Sequence, residues 1–439
     1  MRGLHGACRS LKRREKMLTE QQFSQSIQAL GGSLYIAGGW VRDRLLGRCA
    51  ADRDYVVCGL TAEKLCGAFH CVAVGRRFPV FLIEVDGVPR EVALARRERK
   101  IGRGYHGFET CFTPETSIEE DLYRRDTTMN SMALRLSDGR IIDPFGGQRD
   151  LHAAVIRATS SHFRDDPVRA LRAARQCAQL GFSIEPGTMA LMKDCHDELL
   201  DEPAERFFCE MKKALESPDP PAFFLALRDA EILDAAFPEL DALRGVPQPV
   251  LYHKGLDAFD HTMEVLKRTA ALSPRAETRF AALVHDLGKA LTSPEVLPHH
   301  YGHEQAGLEA LKCLNRRMTL PGFWYRMAHF IIERHMALRK IRRAGAIVKI
   351  MEQIRRCALD PGEILAVLRA DHGGEPDFLL HYDQYRLWLN EARKQFPVPE
   401  TVPPEKRSLW LHCRLSSELA GKMRLRGFSS EGLQSDRIS

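Results

Sequence analysis

The sequence predicts an α+β protein with a small mixed sheet near its amino terminus and helices from there onward. Two observations support this fold class. Short β-branched or alternating runs, such as "SLYIAGG", "RDYVV" and "PVFLIEV", are confined to residues 33–143. After "IIDPFGG", segments such as "DDPVRALRAARQCAQLGF" show helical periodicity, with turns at "SPDPP" and "GVPQP". We therefore expect a mixed head followed by helical parts.

These patterns, taken along the chain, predict five segments. The first is an amino-terminal extension whose first sixteen residues are basic but lack the apolar core of a secretory signal. A head, a helical neck and body, a second helical domain and a basic, helical tail follow. The predicted segments are residues 1–30, 31–143, 144–250, 251–372 and 373–439.

Composition sets the broad class of the protein. The 439 residues carry a formal net charge of +6 at pH 7, which permits a polyanionic partner without requiring one. The twelve cysteines include no CxxC pair, and no apolar stretch reaches the length of a membrane span. We expect a reduced, cytoplasmic protein with no membrane contact.

The stretch "GGWVRDRLLGRCAADRDYVV" carries the first candidate site. The Gly38–Gly39 turn lets backbone N–H groups approach a triphosphate, because glycine has no Cβ. Asp52 and Asp54 are two residues apart at the start of an apolar run, so on a strand they share a face. Adjacent carboxylates repel each other unless a hard cation such as Mg²⁺ lies between them and completes its shell with substrate phosphates. Glu91, on a later strand, is either a third acid of this site or an ordinary exposed strand residue.

Four motifs then occur in a fixed order: "GGxVRDxLLG", "DRDYVV", "RRDxTxN" and "DDPVRALRAAR". Their order and spacing resemble the class II tRNA nucleotidyltransferases, the CCA-adding enzymes and bacterial poly(A) polymerases, whose head is of the polymerase-β type. The resemblance implies template-independent addition of C, C and A to the 3′ end of tRNA from CTP and ATP. It implies two-metal nucleotidyl transfer, with Mg²⁺ held by the catalytic residues Asp52 and Asp54.

The resemblance also assigns the nucleotide-binding residues. Arg125 and Asp126 bind the ribose 2′-hydroxyl in this interpretation, and Asp166 and Arg169 bind the incoming base. An aspartate–arginine pair can satisfy the amino donor and ring-nitrogen acceptor shared by adenine and cytosine, but uracil and guanine present the reverse order. The chain departs from the family at Gln176, where phenylalanine is usual. The predicted nucleotide-binding residues are Gly39, Arg42, Arg125, Asp126, Asn130, Asp166, Arg169, Arg172 and Arg175.

The spacing of the arginines in "DDPVRALRAARQ" allows two interpretations. Arg169, Arg172 and Arg175 are three residues apart, so on a helix they form one basic stripe. Such a stripe is usually a solvated face. In the resemblance, Arg172 and Arg175 lie near the phosphates or the primer end.

The last third of the chain contains separated histidines and a closing aspartate, in "FDHTMEVL", "ALVHDLGKAL", "HHYGHEQAG", "ERHMAL" and "RADHGG". Imidazoles and carboxylates from several helices can form a transition-metal site. The series resembles the HD phosphohydrolase domain, which in one branch of bacterial CCA-adding enzymes implies phosphatase, 2′-nucleotidase and 2′,3′-cyclic phosphodiesterase activity. It implies a divalent transition metal, with Ni²⁺ a candidate. The predicted ligands are His261, His285, Asp286 and Asp371, with His303 and His335 as further candidates.

Two details of this series are open in the sequence. His300 and His303 are both candidates for the same position, and Lys289 in "HDLGK" is a candidate phosphate contact.

The sequence leaves three alternative functions. A poly(A) polymerase shares the head motifs, and residues 75–78, "GRRF", partly match a stretch typical of those enzymes, although Ala73 and Phe81 break the pattern. A CC-only or A-only enzyme would differ in the loop between Arg96 and Ile118. From another class, a metallophosphohydrolase could use its head only to bind RNA. No stable protein partner is expected.

Overall fold

The computed structural model describes residues 17–49, 52–74, 80–102, 107–249, 255–372 and 377–425. The basic first sixteen residues, the "GRRF" stretch, the predicted domain start at residue 251 and the end of the tail lie outside these ranges. The chain divides into two compact units, Met1–Ala173 with Phe182–Glu198 and Ala174–Gly181 with Leu199–Ser439. The finer predicted domain boundaries stay predictions.

The first unit contains the predicted mixed sheet. Its described strands are β1 Ser33–Ala37, β2 Asp54–Cys58, β3 Val72–Val74, β4 Val80–Val85, β5 Val88–Leu94, β8 Ala133–Arg135 and β9 Ile141–Ile142. They lie in the order β3-β4-β5-β2-β1-β8-β9. Strands β2 and β5 are parallel, and the other neighbouring pairs are antiparallel. Two further pairs are the hairpin of β6 Arg97–Lys100 with β7 Phe108–Cys111 and the parallel pair β10 Val155–Ile156 with β11 Ser183–Ile184.

The first helix packs on one face of the sheet, and some later helices extend beyond the first unit. One apolar cluster includes Phe23 and Ile27 of the first helix with Tyr55 of β2, whereas Val56 belongs to a cluster on the other face. Because strand side chains alternate, Asp54 shares the face of Val56. The helices are α1 Glu20–Ala29, α2 Gly39–Leu45, α3 Ala62–Ala68, α4 Ile118–Tyr123, α5 Gly147–His152, α6 Val168–Leu180, α7 Pro186–Lys193 and α8 His196–Leu199; α6 and α8 continue into the second unit.

The second unit is helical in its described residues, which confirms the predicted fold class. No described helix is both long enough and apolar enough to cross a membrane. Its helices are α9 Ala204–Leu215, α10 Pro220–Asp229, α11 Leu233–Ala236, α12 Pro238–Asp241, α13 Ala258–Leu272, α14 Ala276–Val284, α15 His303–Met318, α16 Gly322–Leu338, α17 Ala344–Cys357, α18 Pro361–His372, α19 Asp377–Leu380, α20 Tyr382–Gln395 and α21 Arg407–Leu425.

The described part of the tail is helical, and its last helix packs into the core of the second unit. Helix α21 buries Leu415, Leu419 and Met423 in the same apolar core as Ile347 and Val367 of α17 and α18. Its apolar residues therefore complete the core of the second unit.

Two candidate active sites

A glycine turn opens the first candidate site, in the head. Gly38 has φ 82° and ψ −139°, a backbone conformation that side chains rarely allow. Its N–H donates to the carbonyl of Met132 at 3.0 Å, and α2 begins at the next residue, Gly39. A Cβ on Gly38 would lie 2.9 Å from Nη1 of Arg125. The missing side chain therefore allows this guanidinium to approach the turn.

Three carboxylates lie beside this turn. Asp54 begins β2, and both it and Asp52 are exposed. The parallel register of β2 and β5 sets Glu91 at the level of Asp54 on the neighbouring strand. Although the Asp54 side chain reaches solvent, partial desolvation by its neighbours raises its pKa; the charge of Arg125 lowers it, and the charges of Glu91 and Asp52 raise it further. The charges of Asp52 and Glu91 act on Asp54, but the three residues are not among the groups of the described chain whose ligand atoms lie within 4.8 Å of one another. An open acidic site of this kind suits a hard cation that also takes oxygen ligands from water and substrate phosphates.

Asp126 anchors a chain of polar groups next to these acids. The residue is 4% exposed and accepts hydrogen bonds from Asn130 Nδ2 at 3.1 Å and Arg172 Nε at 2.7 Å. Asn130 in turn accepts from Arg42 Nη1 at 2.9 Å. Burial alone would raise the pKa of Asp126, but Arg172 and the other donors hold it well below its usual range. Four of the predicted nucleotide-binding residues thus form one continuous network.

Arg125 is held by a carboxylate that the sequence motifs did not single out. Asp121, which is 1% exposed, accepts hydrogen bonds from Arg124 Nη2 at 2.7 Å and Arg125 Nη2 at 3.0 Å. Burial raises the pKa of Asp121, but the two guanidinium groups lower it to about 2. Arg124 and Arg125 are three and four residues after Asp121, a spacing at which helical side chains meet. This spacing could have identified both ion pairs from the sequence.

The residues predicted to select the base lie at the start of α6. The Asp166 carboxylate accepts from the N–H of Val168 at 3.2 Å, and its carbonyl accepts from the N–H of Arg169 at 3.0 Å, so Asp166 caps the helix. Arg169 is 8% exposed; its guanidinium donates to the carbonyl of His162 and lies 3.8 Å from Oε2 of Glu98. Local structure therefore orients both side chains, whereas their contact with a base stays a prediction.

The predicted basic stripe of α6 has two different environments. The Arg172 side chain is 42% exposed and pairs with Asp126, next to the head network. The Arg175 side chain is only 12% exposed, and its guanidinium donates to Glu210 at 2.5 Å and to Gln179 at 2.7 Å. These contacts resemble those of a structural ion pair. The predicted role of Arg175 in nucleotide binding stays a prediction.

The second candidate site lies in the second unit, where the predicted histidines and aspartates converge. His261 Nε2 of α13 lies 3.1 Å from Asp371 Oδ1 of α18. His285, at the end of α14, has Nε2 3.0 Å from Asp286 Oδ2 and 3.7 Å from Asp371 Oδ1. All four residues are buried. Separate helices therefore deliver the four main predicted ligands to one point.

The two further candidates join the same cluster. Nε2 of His303 and Nε2 of His335 lie 3.5 and 3.7 Å from Asp286 Oδ1, and 3.2 Å from each other. His300 lies elsewhere: its ring nitrogens contact Thr292 Oγ1 and the carbonyl of Pro247, both at 2.7 Å. The geometry thus places His303, and not His300, in the cluster.

Backbone carbonyls orient three of these imidazoles. Nδ1 of His285, His303 and His335 contacts a carbonyl three or four residues earlier, at 2.7, 2.9 and 3.1 Å. Because a carbonyl oxygen only accepts, each Nδ1 carries a proton and each Nε2 is left pointing into the cluster. Metal-binding histidines are commonly oriented in this way.

The donor set fits a divalent transition metal. Two groups of ligand atoms lie within 4.8 Å of one another in the described residues, and they share Asp286. Asp286 Oδ1 is buried and makes no hydrogen bond within the described ranges, which is costly for a carboxylate unless a cation is near. Burial lowers the pKa of His285, but Asp286 and Asp371 raise it to about 10. The carboxylates that favour a proton on this imidazole also favour a metal ion. The two groups are His261, His285 and Asp286, and Asp286, His303 and His335.

A close backbone approach sets the position of Asp286. A Cβ on Gly288 would lie 1.9 Å from the carbonyl of His303 and 2.4 Å from the N–H nitrogen of Gly307. The turn after Asp286 can therefore pack directly on α15. In the same turn, Lys289 Nζ lies 2.7 Å from Asp286 Oδ2, so the predicted phosphate contact is joined to the cluster.

Other residues near these sites could not be found from motifs. Glu98 contacts the guanidinium groups of Arg96 and Arg124 as well as approaching Arg169. The contacts with Arg124 and Arg169 join β6 to distant parts of the chain, so no local spacing indicates them. His372 follows Asp371 directly, and its Nε2 lies 2.5 Å from Asp371 Oδ2.

Three families match consecutive parts of the chain. The family described as "Poly A polymerase head domain" matches residues 34–157, and "Probable RNA and SrmB- binding site of polymerase A" matches residues 181–244. The "HD domain" family matches residues 258–360. The head and HD families both consist of domains whose chemistry generally uses divalent metal ions.

The chain is also similar to curated proteins over most of its length. It is 46% identical to a "Multifunctional CCA protein" of Chromobacterium violaceum over 304 residues, which cover 69% of this chain and 74% of that protein. It is 41% identical to a protein of the same name from Methylococcus capsulatus over 372 residues, covering 82% and 86%.

Solved structures share the fold. The Bacillus stearothermophilus CCA-adding enzyme in complex with CTP matches with a TM-score of 0.63 and 22% identity, over 92% of this chain and 96% of that one. The Thermotoga maritima CCA-adding enzyme complexed with tRNA matches with a TM-score of 0.58 and 23% identity, over 91% and 90%.

Proposed function

The chain belongs to the family of the bacterial multifunctional CCA proteins, and on that premise we propose that its head adds C, C and A to the 3′ end of tRNA from CTP and ATP. The observation that carries this proposal is the grouping of Asp52, Asp54 and Glu91 beside the Gly38 turn. This arrangement offers carboxylates for Mg²⁺ next to backbone and guanidinium groups that suit a triphosphate.

The head residues have distinct roles in this reaction. Asp52 and Asp54 would hold the metal ions, and the exposed Glu91 on the neighbouring strand would support them. Mg²⁺, when bound, activates the primer 3′-hydroxyl and neutralises the pyrophosphate leaving group. The backbone at Gly39 and the guanidinium of Arg42 bind the triphosphate. No covalent enzyme intermediate is required.

The polar network beside the acids binds the sugar and base. Arg125, held by Asp121, and Asp126, held by Asn130 and Arg172, face the ribose 2′-hydroxyl in this proposal. Asp166 and Arg169 pair with the base edge that adenine and cytosine share. UTP and GTP would leave these groups unsatisfied, at about 1–3 kcal/mol for each group.

The buried cluster around Asp286 is proposed as a second active site, which hydrolyses phosphomonoesters and 2′,3′-cyclic phosphates. A divalent transition metal held by His261, His285, Asp286 and Asp371 would polarise the phosphoryl oxygens and supply a metal-bound water. Imidazole ligands suit several divalent transition metals, and Ni²⁺ is our candidate among them because of the resemblance to the HD domains of CCA-adding enzymes. Removal of a terminal cyclic phosphate would prepare a tRNA end for nucleotide addition. The pair of activities is therefore chemically coherent.

Incubation of the chain with Mg²⁺, a tRNA lacking its last three nucleotides and each nucleotide alone or combined tests the first activity. We expect CTP to add two residues, ATP to add one to the CC product, and extension to stop there. A long A-tract would identify a poly(A) polymerase, and addition that stops at CC or requires a CC end would identify a specialist. If none of these products forms, the remaining interpretation is a phosphohydrolase whose head only binds RNA.

Two substitutions separate the active sites. Asp54→Ala should abolish nucleotide addition and leave hydrolysis of 2′,3′-cyclic AMP intact, whereas Asp286→Ala should do the reverse. Asp138→Ala removes an exposed carboxylate paired with Arg135 and serves as the control. Full nucleotide addition by Asp54→Ala would refute the proposed mechanism.

Several properties expected from the sequence stay predictions alongside this proposal. They are the cytoplasmic location, the lack of a stable protein partner, and the identity of each metal ion. Elemental analysis of the purified chain and its reactivation by single metals would determine the last of these.

A further inference from the structure

We propose that Arg339 binds the phosphate group of the substrate at the buried histidine–aspartate site. The inference rests on the proposed hydrolytic function, because it names a residue that recognises the substrate of that site. Arg339 belongs to none of the sequence motifs that indicated the cluster.

Arg339 lies one helical turn beyond His335, a histidine of the cluster. Helix α16 ends at Leu338, and Arg339 follows with φ −71° and ψ −30°, which continues the helical path. His335 lies four residues earlier, so the two side chains share a helix face. Helical side chains lean towards the amino terminus, which directs Arg339 over the turn that carries His335.

The electrostatic environment agrees with this placement. Burial lowers the pKa of Arg339, and the charges of Asp371 and Asp286 act on it in the opposite direction. Both carboxylates of the cluster therefore act on the guanidinium through their charges, in agreement with its position one turn beyond His335. It is partly buried, so water only partly screens its charge.

Arg339 makes no hydrogen bond or ion pair within the described part of the chain. Other arginines near the site are engaged: Arg268 donates to the carbonyl of Ala370, and Arg334 donates to Gln353. A half-buried guanidinium without a partner is unfavourable unless a ligand supplies acceptors. An anionic group fits this requirement.

The charge balance of the cluster indicates which anion. Asp286 and Asp371 supply two negative charges, and Lys289 supplies one positive charge. With one divalent metal and Arg339, the site would carry an excess of two positive charges. A phosphomonoester carries nearly two negative charges at neutral pH. The guanidinium can also bind two phosphate oxygens at once, which gives it directional selectivity.

Phosphate binding to the full-length chain tests this inference directly. Inorganic phosphate is titrated calorimetrically into Ni²⁺-loaded wild type, Arg339→Ala, Arg339→Lys and Lys340→Ala, and Ni²⁺ affinity is measured separately for each. Lys340 is an exposed neighbour and serves as the matched control. Hydrolysis of 4-nitrophenyl phosphate supplies KM and kcat.

We expect Arg339→Ala to weaken phosphate binding about tenfold to a hundredfold, the range for loss of hydrogen bonds to a charged group. Its Ni²⁺ affinity should stay within about twofold of wild type, because Arg339 is not a ligand. KM should rise with the phosphate dissociation constant. Arg339→Lys should retain part of the affinity through its charge, and Lys340→Ala should match wild type.

The outcomes distinguish this inference from the proposed hydrolysis. Unchanged phosphate affinity in Arg339→Ala would overturn the role of Arg339 while leaving the hydrolytic function intact. An equal loss of Ni²⁺ affinity would also overturn it, since the residue would then support the cluster and not the substrate. A wild type that binds phosphate through Arg339 but hydrolyses no phosphomonoester would support the inference and refute the function.

Discussion

The two candidate sites differ in how far the protein assembles them. In the head, Asp52 and Asp54 are exposed, and Asp52 and Glu91 act on Asp54 only through their charges. In the second unit, the cluster around Asp286 is buried, and two groups of its ligand atoms already lie within 4.8 Å of one another. In our proposal, substrate phosphates would complete the metal shell at the first site, whereas the protein would supply most of the shell at the second.

This difference follows from the ligands and their supports. Mg²⁺ keeps several waters and takes few protein ligands, so a site for it can remain open to a nucleotide. Imidazole ligands must be turned to present a lone pair, and backbone carbonyls achieve this for His285, His303 and His335. Preassembly therefore requires close packing, whereas the open site requires rigid support around it.

Gly288→Ala tests whether the buried cluster depends on close packing. The new Cβ would overlap the carbonyl of His303 at 1.9 Å, so Asp286 and α15 must separate. We expect Ni²⁺ affinity to fall by more than about a hundredfold, because misplaced ligands lose most of the coordination energy. Calorimetric Ni²⁺ titration measures this.

Gly345→Ala is the matched control, because its Cβ would meet its nearest neighbour, Ser416 Oγ, at an ordinary 3.6 Å. It should bind Ni²⁺ as wild type does. If Gly288→Ala bound Ni²⁺ with wild-type affinity, the cluster would tolerate separation of Asp286 from α15. The close approach of Gly288 to α15 would then not be what preassembles the cluster.

Asp121→Asn tests the rigid support of the open site. Loss of the buried carboxylate leaves Arg124 and Arg125 without their shared partner, which should destabilise the first unit by about 3 kcal/mol. Because the pKa of Asp121 is lowered to about 2 in the folded protein, its stabilising contribution is complete above about pH 4 and is lost as the pH falls through about 2.

Urea unfolding of wild type and Asp121→Asn across this pH range measures the effect. The difference in free energy of unfolding should be constant near neutral pH and shrink below pH 4. Asp138→Asn, at an exposed ion pair, should match wild type throughout. A wild-type stability for Asp121→Asn at pH 7 would contradict the proposed support of Arg125.

Glu98→Gln tests a subtler part of the same support. Glu98 contacts Arg124 at 3.1 Å and lies 3.8 Å from the Arg169 guanidinium, so neutralising it should loosen Arg169. We expect the ratio of kcat/KM for CTP over UTP to fall about fivefold to tenfold, the size of one weakened charge-assisted contact.

Single-nucleotide incorporation kinetics measure this ratio. Glu109→Gln, in the paired strand of the same hairpin, removes an exposed ion pair with Arg99 and should leave the ratio unchanged. An equal effect of both variants would assign the change to the hairpin as a whole and remove Glu98 from base selection.

The sequence alone was sufficient for the α+β class, because local periodicity along the chain indicates strands and helices. Its four ordered motifs were sufficient to identify the family by resemblance. Asp52 with Asp54, and the series from His261 to Asp371, could therefore be proposed as sites before their positions were known.

The three-dimensional arrangement was needed for everything that joins distant residues. It places His303 and not His300 in the cluster, joins Arg172 to Asp126, engages Arg175 with Glu210, and packs the tail helix into the core. These outcomes depend on which elements approach one another in space. Long-range packing leaves no periodic signal in the chain. The proximity of residues such as Glu98 and Arg339 to a site can therefore be recognised only in the folded structure.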